Sequence, residues 1–235
     1  MEDIEAIAVL QDPVRRRLYE YVAAQGREVG RNEAAEAAGV ARTLAAHHLD
    51  KLTDAGLLES GSRRLTGRSG PGAGRPAKVY TRARVERSVS LPARDYRTAA
   101  ELLAEAAEEA GLDAGLCAAA RRRGEALRGS AAPCGDLGEA MELLAARGYE
   151  PHLEEETEET GQVVRMRNCP FHAVSERFPP LVCGMNLALL EGLLGAQGPV
   201  RARMDARPGE CCVALDASNV PNPSNVLDSS KNNSH

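Results

Sequence analysis

Apolar residues recur at helical spacing in Val14, Leu18, Tyr21 and Val22, directly after Asp12-Pro13. An acid at the cap followed by proline at the first helical position is a start signal, and Gly26 supplies the stop. Asn32 is the next cap candidate and opens a short helix over 33–38 that stops at Gly39. A third helix, over 42–55, places Leu44, Leu49 and Leu52 on an inward face and ends at Gly56. Two helices joined by a tight glycine-containing turn, the second polar on its outward face, form a helix-turn-helix. Residues 57–60 and 77–81 read as strands, and the Gly/Arg/Pro/Ser-rich stretch between them reads as a long hairpin loop, or wing.

Beyond the wing the period stays helical. Tyr96, Ala99, Leu102, Leu103, Ala106 and Ala110 form one apolar stripe, Gly111 breaks it, and Leu116, Ala120 and Leu127 resume it. Ala-rich helices outside either domain have little to pack on, so the pattern predicts pairing with the same helices of a second chain, as a homodimer. From Pro133 onward helix and strand alternate. Leu137, Ala140, Met141 and Leu144 form a helical face ended by Gly148; 149–155 and 162–167 form a hairpin; 181–195 is an apolar helix; 200–205 and 212–215 are two further strands. The expected fold class is α+β, in four parts: a winged helix-turn-helix domain over 1–90, central dimerisation helices over 91–132, a cysteine-bearing α+β sensor domain over 133–216, and a disordered tail over 217–235.

Charge divides the chain in the same way. Residues 1–94 hold 16 Lys/Arg against 12 Asp/Glu, and residues 95–235 hold 13 against 22, so a basic front precedes an acidic back. With two Phe, five Tyr and no Trp, the chain offers little stacking surface for single-stranded nucleic acid. The N-terminus lacks a signal-peptide pattern. The apolar run 181–196 is interrupted by Asn186 and Glu191 and is too short to cross a bilayer, so a cytoplasmic protein with no membrane partner is expected.

Two groups of residues carry candidate chemistry. Arg42, Thr43, His47, His48 and Lys51 are the polar positions of the third helix that could face a major groove, although one of the two histidines is expected to pack or cap inside the domain. Between Gly61 and Arg87 there are eight basic residues and one acid; Arg63, Arg64, Arg68, Arg75 and Lys78 are the wing candidates for phosphate contact. The partner they imply is double-stranded DNA. A dimer would address a palindromic operator with half-sites about 34 Å apart.

The second group is Cys169, Cys183 and Cys211, from three separate elements, with Cys212 or His172 competing for a fourth place. In a reducing compartment clustered cysteines indicate a metal site or redox chemistry more often than a structural disulfide. If Cys211 and Cys212 are extended, their side chains point to opposite faces and only one, preferably Cys211, binds. Zinc is the alternative occupant, but two short Cys-x2–4-Cys pairs are absent. Cys134 is a weaker extra candidate, and Cys117, among alanines, is a core residue. No Cys-x-x-Cys pair, Ser/His/Asp arrangement or phosphate loop favours an enzyme; a cysteine-based redox enzyme fused to a nucleic-acid domain is the reading from another class.

The front module resembles ArsR/DeoR-type winged helix-turn-helix regulators, with Gly74-Arg75-Pro76-Ala77-Lys78-Val79-Tyr80 matching a Gly-Arg-Pro-x-x-x-Tyr wing. The back resembles the cysteine domain of SufR-type iron–sulfur repressors, through Asn168-Cys169-Pro170-Phe171, Leu181-Val182-Cys183 and Pro208-Gly209-x-Cys211-Cys212. The resemblance implies a dimeric, non-enzymatic repressor of iron–sulfur cluster assembly (suf) genes. It would carry a [4Fe–4S] cluster on Cys169, Cys183 and Cys211, and the cluster-bound form would hold the operator.

Overall fold

In the computed structural model of the chain, Asp12 caps its helix as expected: Oδ1 accepts from the backbone N–H groups of Val14 at 2.9 Å and Arg15 at 3.0 Å. The structure describes residues 2–63, 76–155 and 162–217. The chain divides into two units, 1–94 and 95–235.

The first unit runs α1 (Glu2–Ala8), a 3-10 turn, α2 (Pro13–Gln25), β1 (Val29–Gly30), α3 (Arg31–Ala38), α4 (Arg42–Asp54), β2 (Leu58–Arg63) and β3 (Ala77–Arg82). Gly26 and Gly39 end α2 and α3 in the left-handed conformation that only glycine adopts freely. The short helix starts at Arg31, one residue before Asn32, with Gly30 at its cap position and no side-chain cap. The three strands form an antiparallel sheet in the order β1-β3-β2, with Ser60 opposite Tyr80. Leu18, Val29, Leu49, Leu52 and Tyr80 are fully buried in its core, each large aliphatic contributing about 1.5–3 kcal/mol.

One expectation fails within α4. Leu44 is exposed, and the inward stripe is Ala45, His48, Leu49 and Leu52. That set follows the i, i+3, i+4, i+7 spacing of a buried face, so the face lies one residue later than the leucines alone suggest.

The second unit contains α5 (Tyr96–Glu109), α6 (Asp113–Arg128), α7 (Leu137–Ala145), β4 (Pro151–Glu155), β5 (Gln162–Met166), α8 (His172–Ser175), α9 (Pro179–Leu194), β6 (Val200–Met204) and β7 (Val213–Ala217). Its four strands are antiparallel in the order β4-β5-β7-β6. Val164, Met166, Val213 and Leu215 face α7 and α9, where Leu144, Leu190, Leu193 and Leu194 complete the main core. The opposite face carries charge. Arg165, almost fully buried, is clamped by Glu154 at 2.6 Å and by Asp205, and Arg203 joins Asp205 to Asp216.

The helices assigned to a separate dimerisation segment over 91–132 belong to this unit, and the premise that they lack a packing partner is corrected. α6 crosses α9 at Gly124 and Gly192: a Cβ at Gly124 would lie 2.1 Å from the Leu189 carbonyl oxygen, and one at Gly192 would lie 2.2 Å from that of Arg121. The two backbones therefore touch. α5 buries Ala104 against Phe178, Leu181 and Val182. Its large residues Tyr96, Leu102 and Leu103 are 74%, 61% and 72% exposed, so the apolar stripe expected from the sequence is the uncovered face. Among the described residues, no helix is long and apolar enough to cross a membrane. The tail beyond residue 217 lies outside the described residues, and β7 claims Ala217 itself.

Candidate nucleic-acid interface and cysteine site

α4 follows α3 through a turn at Gly39, and its first turn presents Arg42 and Thr43 to solvent. Thr43, Ala46, His47 and Asp50 share one outward stripe, with Lys51 exposed beside it. His48 does not join them. It is 8% exposed, its ring meets that of His47 edge-on at 5.5 Å, and burial holds its pKa below the ordinary imidazole value. Of the two histidines, His47 is the one on the outer face and His48 the one packed inside.

In the wing, Arg63 is exposed at the end of β2 and pairs with Glu28 at 3.3 Å. Arg64, Arg68 and Arg75 lie outside the described residues. Lys78 is engaged within the unit: its Nζ donates to Asp50 Oδ1 at 2.7 Å and sits over the Tyr80 ring. The same oxygen accepts the Tyr80 hydroxyl at 2.8 Å, Arg31 lies 3.4 Å from both Asp50 oxygens, and Arg31 Nε donates to the Tyr80 hydroxyl at 2.9 Å. These four residues tie the start of α3, the middle of α4 and the wing strand β3 together. The cations hold the Asp50 carboxyl below its ordinary pKa against the opposing effect of burial, and the Asp50 hydrogen bond raises that of Lys78. Sequence reading missed Asp50 and Arg31; the signal was an acid within an otherwise basic outer face, and the tyrosine that closes the wing motif.

The cysteines occupy the second unit. Cys169 lies in the loop after β5, where Asn168 Nδ2 donates to the Gly148 carbonyl at 2.6 Å. Cys183 is one turn inside α9. Cys211 precedes β7 and is pinned by its N–H to the Met166 carbonyl at 2.9 Å. The three elements bring the thiols near one another in the order 169–211–212–183, each close enough to the next to shift its ionisation. The expectation that Cys211 and Cys212 point to opposite faces is corrected, because β7 starts at Val213 and residue 212 lies in a bend.

Cys211, 3% exposed, is the acidic member. The neighbouring Cys169 and Cys212 thiols, the Val213 N–H and the Asn186 amide hold its pKa below the ordinary thiol value, and the same proximity, with burial, raises those of Cys169 and Cys212. Asn186 is fully buried. Its Nδ2 lies 3.4 Å from Cys211 Sγ, and its Oδ1 accepts the Tyr149 hydroxyl at 2.6 Å. Burial pushes the Tyr149 pKa upward, so it remains a donor. Asn186 was legible only as an interruption of an apolar run.

His172 is not brought to this group: its side chain is 62% exposed and pairs with Glu176 at 3.4 Å. Cys134 is buried in the core with its thiol pKa raised by burial, and Cys117 packs against Gly184 on α9. Among the described residues, no group of three or more His, Cys, Asp or Glu is arranged to hold a metal ion. As a donor set Cys169, Cys183, Cys211 and Cys212 are nonetheless four soft sulfurs with amide and backbone N–H groups aimed at them, the kind of ligand shell an iron–sulfur cluster takes.

A family model described as a helix-turn-helix domain matches residues 10–61, from the 3-10 turn through β2. Comparison with curated proteins returns no match. Comparison with solved structures returns none either. Residues 10–61 are a helix-turn-helix domain of the kind that DNA-binding transcriptional regulators carry.

Proposed function

We propose that the chain is a transcriptional repressor that reads operator DNA through α4 and the wing and senses iron–sulfur status through Cys169, Cys183, Cys211 and Cys212. The observation that carries this reading is the convergence of four thiols from three separate elements, in a chain whose other unit is a helix-turn-helix domain. A bound [4Fe–4S] cluster supplies sensitivity to iron supply, oxidants and nitric oxide. Cys212 is the fourth ligand on this reading, since His172 faces solvent. The target would be iron–sulfur cluster assembly (suf) genes.

The second unit also offers a route from the thiols to a dimer. Phe178, Leu181 and Val182, just before Cys183, pack on Ala104 of α5, and the far side of α5 carries Leu102 and Leu103. A homodimer formed through that side would set the spacing of two α4 helices on a palindromic operator. Ordering of the loop at Cys169, the start of α9 and the turn at Cys211 then selects one spacing, a population shift toward the DNA-binding arrangement.

Anaerobic purification with visible absorption, iron and sulfide analysis, and a gel shift of reconstituted against cluster-free protein test the proposal. Four irons and four sulfides per chain with tighter operator binding are expected. A colourless protein with one zinc per chain refutes the cluster. The proximity of Cys169 to Cys211 favours one further reading, a thiol switch in which a disulfide oxidant takes two hydrogens from the pair and closes a disulfide. Mass mapping after such treatment, with DNA binding followed in parallel, separates the two.

A further inference from the structure

Asp50 lies on the outward stripe of α4 with Thr43 and His47, where a side chain can meet DNA, yet its carboxylate is spent on two cations of the same surface. The groove that Arg31 and Lys78 share with Arg27, Arg42 and Arg63, about 1290 Å³, adjoins this cluster. Arg27 pairs with Glu33 at 2.5 Å, Arg63 with Glu28, and both Arg31 and Lys78 with Asp50. Arg42 has no ion-pair partner among the described residues.

Cations that reach phosphates supply sequence-independent affinity, and each adds to the salt dependence of binding; contacts to base edges supply discrimination. A carboxylate that occupies two cations therefore lowers the first without touching the second. We propose that Asp50 is a specificity-determining residue: by holding Arg31 and Lys78 it withholds two positive charges from the DNA backbone, so that binding depends on the first turn of α4. The inference rests on α4 being the DNA-reading helix. It reassigns Lys78 from a phosphate contact to a restrained charge.

The test uses the full chain, a random-sequence 30-base-pair duplex, and a duplex enriched from a random pool by the wild-type protein. Asp50→Asn keeps an acceptor for Tyr80 and removes the charge. Its affinity for the random duplex is expected to rise several-fold, its log–log salt slope to steepen by up to ~2, at ~0.9 per phosphate contact, and the preference for the selected duplex to shrink. Asp50→Asn/Arg31→Gln/Lys78→Gln, which removes the cations without leaving an unpaired carboxylate, is expected to lose the gain of Asp50→Asn and return random-duplex affinity to within several-fold of the wild type. Equal weakening on both duplexes in Asp50→Asn with an unchanged slope is the mark of a merely structural residue and overturns the inference. So does a triple variant that keeps the gain and the steeper slope of Asp50→Asn. A wild-type chain that enriches no sequence overturns the DNA reading itself, and this inference with it.

Discussion

The side-chain amide of Asn186 is oriented by Tyr149: the tyrosine hydroxyl donates to Oδ1 at 2.6 Å, which leaves Nδ2 to face Cys211 Sγ at 3.4 Å. A phenol kept protonated by burial retains the hydrogen it donates to Oδ1, and Nδ2 is then the amide atom turned to the sulfur. Tyr149→Phe leaves a buried oxygen without its donor and is expected to cost about 1–3 kcal/mol in urea unfolding of the cluster-free protein. The same substitution frees the amide to rotate, so alkylation of Cys211, followed by mass mapping, should change while that of Cys117, outside the group, does not.

The glycine crossing of α6 and α9 gives a contrast within one helix. Gly124→Ala or Gly192→Ala sets a methyl against a backbone carbonyl that cannot move without separating the helices, and about 3 kcal/mol of stability should be lost. Gly115→Ala, on the same α6, meets nothing within 4 Å and should stabilise by about 0.5–1 kcal/mol. Chemical denaturation of the three variants checks both signs.

Acid should weaken both units. Burial lowers the pKa of His48 and of His152 below 6.5 in the fold, and each has a buried Nδ1 without a partner. The unfolded chain therefore binds the proton more readily. Their contribution is fully present above pH 6.5 and is lost as pH falls through and below that value. His48→Leu and His152→Leu should each flatten the decline in stability measured between about pH 7 and about pH 5.

Arg42 lies in the first turn of α4 without an ion-pair partner among the described residues, and the proposed reading puts it against DNA. Arg42→Ala should weaken binding and reduce the salt slope by about one if it meets a phosphate; if it meets a base edge, the loss is about 1–3 kcal/mol and falls on the selected sequence alone. Fluorescence anisotropy across a salt series distinguishes the two.

For the cysteines, Ser at 169, 183, 211 or 212 should each abolish the visible absorption of reconstituted protein, whereas Cys134→Ser and His172→Ala should retain it. Full absorption in Cys212→Ser would return the fourth place to another donor.

Much of the first unit was legible because its signals are local. Asp12-Pro13 and the Val14/Leu18/Val22 spacing define α2 without reference to anything distant in sequence. The inward face of α4 was misjudged because leucine was weighed above histidine, and His48 is the residue that fills the position between Ala45 and Leu52. In the second unit the elements were readable and their partnerships were not. Nothing local to Gly124 or Gly192 announces that they meet, so α6 appeared to need a second chain. Cys212 was left competing with His172 for the fourth place, because the bend at residue 212, just before the interior strand β7, is not marked by any local signal.

The glycine crossing has a mechanical meaning as well. Side chains between two helices act as a cushion, since rotamers can turn and absorb a small displacement. Gly124 and Gly192 leave no cushion, and α9 carries Cys183 at one end and Gly192 near the other. A tilt imposed on α9 at its cysteine end is delivered to α6 without slack, as in a gear train with no backlash.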